Sequence, residues 1–417
     1  MAAQFHDEDG KEENESYSFL KETIKKPPIN KKLVAWKVLK VAGLGFIFGF
    51  TTCVGFVMSK PWIEEHVGSE KAGVTIQEDQ NPKEENTEKQ QGEVQASQVM
   101  TLKNYQQMIG ELNKVADSAQ KSIVMLENIS KEQDDVNIMQ AKSAGVIVAD
   151  NGTEILIMAD HTGFENSQPV TALFYNGEEA AASVKKQDKA LGIAVYAVNK
   201  SELSSNTVSQ LKVMTLGNSN VVSEGEPVIA AGAPFGGTES VGFGVISADD
   251  VQKNLCDGQY RMLYTDIPGN EHSSGVLLNL KGEAVGFICP EKKEENILCA
   301  FAISEIKEEI ERLSNGIGVS YMGINGTEVS DEVADKQDMP KGIYVDSAMP
   351  DSPAMKAGIQ SGDILTQIGE TRIYTMDGFK EELLNYNPGK TVIVKGKRRG
   401  ADGYVDIQFE VTLSLAE

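Results

Sequence analysis

From Gly269 to Gly275 the chain reads Gly-Asn-Glu-His-Ser-Ser-Gly, a polar loop that sets an imidazole beside two hydroxyls. A serine hydroxyl attacks a carbonyl only when a base takes its proton, a further group orients that base, and N–H donors face the developing oxyanion. The chain has four histidines, and His6 and His66 lie in polar stretches, which leaves His161 and His272 as candidate bases. His272 adjoins Ser273, and neighbouring side chains on an extended loop diverge, so His272 is poorly placed to serve that hydroxyl. Behind the loop, Val276 to Phe287 reads as two short apolar strands joined by a tight Lys281-Gly282 turn.

A nucleophile-bearing loop before a buried hairpin resembles the serine loop of trypsin-like peptidases. The resemblance is to the high-temperature-requirement (HtrA) family, whose loop reads roughly T-D-x-x-x-N-P-G-N-S-G-G-x-L-L-N. Aligned from Leu278-Asn279, Ser273 takes the nucleophile position, Glu271-His272 replaces Gly-Asn, and Ser274 replaces the following Gly. His161 follows Ile155-Leu-Ile-Met158, where the family has I-L-T-N-x-H-V; this chain is one residue longer and lacks the Thr-Asn pair. The family's D-x-x-x-D-L-A-V-L corresponds to Asp188-Lys-Ala-Leu-Gly192-Ile-Ala-Val-Tyr196, which puts Gly192 at the aspartate position. Glu271 stands at the oxyanion glycine, bringing a carboxylate toward the site of negative charge. Losing the aspartate costs about 10⁴ in rate and losing one oxyanion donor about 10²–10³. Met214 to Ser219 and Val228 to Gly236 match the family's L-G-x-S and V-I-A-I-G-N-P-F-G scaffold motifs. Near the C terminus, Asp351 to Leu365 matches D-S-P-A-x-K-A-G-I-x-x-G-D-I-L, the signature of the family's PDZ domain. There Tyr321, Met322, Gly323 and Ile324 correspond to the loop whose N–H groups hold a peptide's C-terminal carboxylate, with strand addition beside it.

The elements that must position these residues are legible in the pattern. The 417 residues allow two or three domains, 40% hydrophobic content supports real cores, and a net charge of −23 argues against nucleic acid. Residues 1–32 read as a cytoplasmic tail. Residues 33–59 contain Val41 to Met58, eighteen residues without a charge, and read as a transmembrane helix. Seven lysines within residues 21–40, against nine acids and three lysines within 61–100, put the N terminus in the cytoplasm and the rest outside. Residues 60–102 read as an acidic disordered linker. Apolar spacing from Tyr105 predicts a helix, followed by a strand at Ser122 to Leu126. From Ala144 to Leu313, short β-rich runs between Gly, Asn and Asp predict a sandwich or barrel, closed by a helix with Ile303, Ile306, Ile310 and Leu313 on one stripe. Cys289 and Cys299 flank a charged loop and are placed to face each other across a hairpin, as a disulfide or as two thiols.

The expected fold is mostly β: a trypsin-like double β-barrel over 103–314, then an α+β PDZ domain over 315–417, behind one N-terminal transmembrane helix. The resemblance implies a membrane-anchored endopeptidase relative acting on extracytoplasmic polypeptides, with catalysis impaired at Gly192 and Glu271. It implies unfolded or C-terminal peptide segments as partners, a homotrimer, and neither cofactor nor metal. Two alternatives stay open: an active endopeptidase whose His161 is served by another carboxylate such as Asp188, and a non-enzymatic envelope scaffold or signalling protein.

Overall fold

The computed structural model describes residues 73–79, 101–128, 141–164, 169–289 and 296–416. Helix α1 (Leu102–Gln120), N-capped by the Thr101 side chain on the Asn104 amide, leads into six strands. These are β1 (Ile123–Asn128), β2 (Ala141–Asp150), β3 (Glu154–Asp160), β4 (Val170–Phe174), β5 (Glu179–Asp188) and β6 (Ile193–Asn199), closed as a barrel in the order β1-β2-β3-β6-β5-β4. Alternate residues point inward, as a period of two requires: Val124 and Leu126, Ile155 and Ile157, Ala194, Tyr196 and Val198 fill this barrel. After a short α2 (Ser205–Gln210), a second closed barrel runs β10-β11-β12-β9-β8-β7. Its strands are β7 (Pro227–Ala233), β8 (Ser240–Leu255), β9 (Gly258–Pro268), β10 (Ser274–Leu278), β11 (Ala284–Ile288) and β12 (Ile297–Ala302). The opposite faces of β2, β3, β7 and β10 carry Val146, Met158, Ile229 and Val276, which join the barrels in one shared core.

The closing helix α3 (Lys307–Ser314), entered through a 3₁₀ turn at Ile303–Ile306, buries the stripe Ile303, Ile306, Ile310 and Leu313 as its periodicity predicts. Its other side holds part of the stretch expected to be spacer. Asn315 bonds both the N–H and the C=O of Val74 at 2.8 Å, Glu311 accepts from the Ile76 amide at 2.8 Å, and Lys307 pairs with Asp79 at 2.6 Å. Positions 307, 311 and 315 recur every four residues, so one helical face meets an extended segment.

The C-terminal domain has a separate core around Ile324, Ile343, Leu365, Phe379 and Val394. Its main sheet orders β14 (Ile324–Glu328), β15 (Ile343–Ala348), β16 (Ile364–Ile368), β18 (Thr391–Gly400) and β19 (Gly403–Thr412). The short β13 (Ser320–Tyr321) pairs with β20 (Ser414–Leu415), and β17 (Thr371–Arg372) pairs with β16. Three helices accompany them: α4 (Asp331–Gln337), α5 (Pro353–Ala357) and α6 (Met376–Leu384). Gly358 ends α5 in the left-handed region at φ +90°, the conformation that favours glycine just past a helix C terminus. Cys289 and Cys299 do face each other, with the Cys289 N–H donating to Cys299 O at 3.2 Å, and both are thiols. Among the described residues no helix is long and apolar enough to cross a membrane; residues 33–59 lie outside them.

Candidate active site and carboxylate loop

His161 leaves β3 with its backbone N–H on Gly192 O at 2.8 Å and its ring Nδ1 2.6 Å from the Tyr196 hydroxyl. Tyr196 projects from β6 into the first barrel and is fully buried. Burial, and then the nearby Asp160 charge, push its hydroxyl above the ordinary phenol range, so it stays protonated. A neutral hydroxyl either donates or accepts, so it fixes neither imidazole tautomer and supplies no negative charge to an imidazolium. Gly192 sits in the left-handed region at φ +73°, where a Cβ would lie 3.2 Å from Thr162 Oγ1 and 4.0 Å from Asp160 Oδ1. The Asp160 carboxylate thus lies next to the position where the family pattern has its aspartate, and it accepts from the Thr162 amide at 2.8 Å. Asp188 accepts instead from the amides of Ala190 and Leu191 and is not bonded to His161.

Ser273 is buried, at 3% exposure, and its hydroxyl is engaged within its own barrel. It donates to Pro234 O at 2.6 Å and accepts from the Asn270 N–H at 2.8 Å; His161 is not among its partners. The Ser273 amide, one of the two donors of a trypsin-like oxyanion hole, donates to Asn270 O at 3.0 Å. Asn270 locks this turn: its Nδ2 donates to Phe235 O at 2.6 Å and its Oδ1 accepts from the His272 amide at 2.8 Å. Gly236 makes the close approach feasible, since a Cβ there would fall 2.8 Å from Asn270 Oδ1. The Glu271 and His272 side chains point to solvent, 3.6 Å apart. Ser274 accepts from the Ala144 amide at 2.8 Å and ties one barrel to the other.

At the other candidate site, the amides of Met322, Gly323 and Ile324 converge on one group, the Asp257 carboxylate, at 2.7–2.9 Å. Tyr321 precedes them with its ring flanking Gly323, whose φ of +88° opens the loop. Asp257 belongs to a cluster of buried acids. Burial pushes Asp257 up to about 6, against the pull of those amides, and Asp188 likewise to about 6. Glu309 is pushed up to about 7 by burial, with Lys380 opposing. Tyr260 donates to Glu309 Oε1 at 3.3 Å, while Oε2 has no hydrogen-bond partner among the described residues. Among those residues no acid, histidine or cysteine cluster could hold a metal.

Comparison with known proteins agrees with both halves. A family model of the trypsin-like peptidase domain matches residues 143–287, and one of the PDZ domain matches residues 318–409. The chain carries a trypsin-like peptidase domain followed by a PDZ domain. Serine protease HTRA3 of Homo sapiens is 26% identical over 296 residues, 66% of this chain and 62% of that protein. This chain therefore spans about three fifths of the human relative's length. Serine protease Do-like HtrA of Lactococcus lactis subsp. lactis is 25% identical over 309 residues, 67% of this chain and 73% of that protein. The solved structure of the HtrA-type protease AlgW with tripeptide matches with a TM-score of 0.53 at 19% identity, covering 73% of this chain and 96% of that one. AlgW with decapeptide matches with a TM-score of 0.52 at 18% identity, covering 73% and 98%.

Sequence motifs point to the peptidase serine and histidine positions but not to Tyr196, Asp160 or Asp257. A tyrosine inside the apolar run Ile193-Ala-Val-Tyr-Ala-Val198 is the one local sign of the first. Asp160 is marked by the extra residue before His161. Nothing near Asp257 links it to a loop more than sixty residues away.

Proposed function

We propose that this chain is a membrane-anchored HtrA-type protein of the cell envelope, with an impaired peptidase domain, that acts on extracytoplasmic polypeptides chiefly by binding them. The observation that carries this reading is the Ser273 hydroxyl, held between Pro234 O and the Asn270 N–H while the Ser273 amide is spent on Asn270 O. A nucleophile so placed has neither its base nor one of its oxyanion donors, and each deficit is severe. Peptide binding by the PDZ domain is supported by three converging amides that suit a carboxylate, and by HtrA-type relatives solved with peptides. The test is labelling of the full chain with a fluorophosphonate probe against Ser273→Ala. Equal, background labelling is expected; labelling that depends on Ser273 overturns the impaired reading.

A second reading, an active endopeptidase with a rearranged triad, draws on Asp160 rather than Asp188. Its carboxylate lies beside the vacant aspartate position and affects Tyr196. On that reading Asp160→Asn abolishes probe labelling that the wild type displays.

A further inference from the structure

The carboxylate loop of the PDZ domain is occupied by the peptidase domain. Asp257 lies in the two-residue tip between β8 and β9, where Leu255 pairs with Gly258. Its φ of +62° is a left-handed conformation that aspartate tolerates better than most residues, and it aims the carboxylate out of the hairpin. Met322 N–H donates to Oδ2 at 2.7 Å, Ile324 N–H to Oδ1 at 2.8 Å, and Gly323 N–H to both oxygens at 2.9 and 2.7 Å. Hydrogen bonds to an ionised acceptor are the strong ones, and successive amides curled around an anion form a nest.

The backbone repeats the pattern. The Asp257 N–H donates to Ile324 O at 2.8 Å, the bond that the last residue of an added strand would make. The hairpin is also gripped from the side: Lys380 of α6 lies 4.5 Å above the Tyr260 ring and donates to Glu305 at 3.2 Å. The tip therefore meets the PDZ domain as a polypeptide C terminus would, with a side-chain carboxylate in place of the terminal one.

Resting on the peptide-binding reading above, we propose that Asp257 is an internal ligand of this loop, so that a polypeptide C terminus binds only by displacing the β8–β9 hairpin. A tethered ligand acts at high effective concentration, and an external one sees its affinity reduced by the fraction of loops left open. Binding a C terminus and releasing the PDZ domain from the second barrel are then one event.

The test uses the full chain, wild type and Asp257→Ala, with a fluorescent decapeptide ending in a free valine and its amidated twin. Asp257→Ala should bind the free peptide at least about tenfold more tightly than wild type, and the amidated twin should bind neither well. Asp257→Asn keeps the shape of the tip while losing its charge, and it should fall between the two. Hydrogen exchange reads the latch directly: the Met322, Gly323 and Ile324 amides should exchange faster in Asp257→Ala and be protected again by the free peptide. Equal affinity in wild type and variant overturns the proposal while leaving peptide binding intact, as does unchanged amide protection. Absence of binding by every form removes the peptide-binding reading and the competition with it.

Discussion

The His161 ring meets Tyr196, with Nδ1 2.6 Å from the hydroxyl. Tyr196 is the fourth residue of β6 (Ile193–Asn199), the strand that begins beside Gly192, so the residue facing the imidazole comes from deeper in the first barrel. A histidine at this place is thus held by the barrel core, against Phe164 and Tyr196, in a stacked and tilted aromatic group.

That arrangement makes the Tyr196 hydroxyl a structural group. Tyr196→Phe should destabilise the full chain by about 1 kcal/mol, the usual net worth of one hydrogen bond. Urea denaturation of both forms measures it. A loss well above that would mean the hydroxyl holds a larger network through Asp160.

Glu309 gives a pH dependence with a definite sign. Its carboxyl is pushed up from 4.5 to about 7, so between those values the folded chain holds a proton that the unfolded chain has released. Its contribution to stability is fully present below the unfolded value and is lost as pH rises through the folded one. Glu309→Gln carries no such group, so its stability relative to wild type should rise from pH 4.5 to 7 and then level off. Urea midpoints across that range decide it, and parallel profiles for the two proteins would show that Lys380 already keeps Glu309 ionised.

Membrane anchoring stays a proposal that rests on residues 33–59 and the lysines before them. Protease added to intact cells or spheroplasts should remove the peptidase and PDZ domains and leave a short membrane-bound stub. Protection of both domains would reverse the topology, and a mature N terminus after Lys60 would show a cleaved signal peptide.

The barrels were legible because short apolar, β-rich runs such as Ile155–Met158 and Pro227–Ala231 stand between Gly, Asn and Asp turns, and the α3 stripe because four isoleucine and leucine positions keep helical spacing. The PDZ domain was legible because its signature includes residues with fixed jobs: Ser352 caps α5 on the Met355 amide, and Asp363 is buried against Arg398 at 2.6 Å. What the sequence does not carry is side-chain direction. The motif puts Ser273 at the nucleophile position, yet its hydroxyl turns toward Pro234, because Asn270 supplies an N–H at the place where the family pattern has proline. Asp257 is hidden for a different reason: its partner loop comes from another domain, and no periodicity spans that gap. The packing of Val74 and Ile76 on α3 is hidden in the same way, since two apolar residues in an acidic stretch show no pattern alone.

Restoring family residues separates these causes. Gly192→Asp with Glu271→Gly returns the family's aspartate and its glycine, although the Glu271 side chain points to solvent. At φ +73° an aspartate is tolerated, and its Cβ asks only a small shift of the Thr162 hydroxyl. Neither change touches the bonds from the Ser273 hydroxyl to Pro234 O and Asn270 N–H, so casein turnover by this pair should remain within about tenfold of background. Adding Asn270→Pro deletes the N–H that holds the hydroxyl and the side chain that pins Phe235 and His272. The triple variant should therefore gain fluorophosphonate labelling and casein turnover by orders of magnitude over the pair, because the serine can then turn toward His161 with its carboxylate in place. A large gain from the pair alone would show that the Asn270 turn opens unaided. Silence in the triple variant would put the remaining defect at His161, whose ring would still be held by Tyr196, and Tyr196→Leu in that background is the change that should release it.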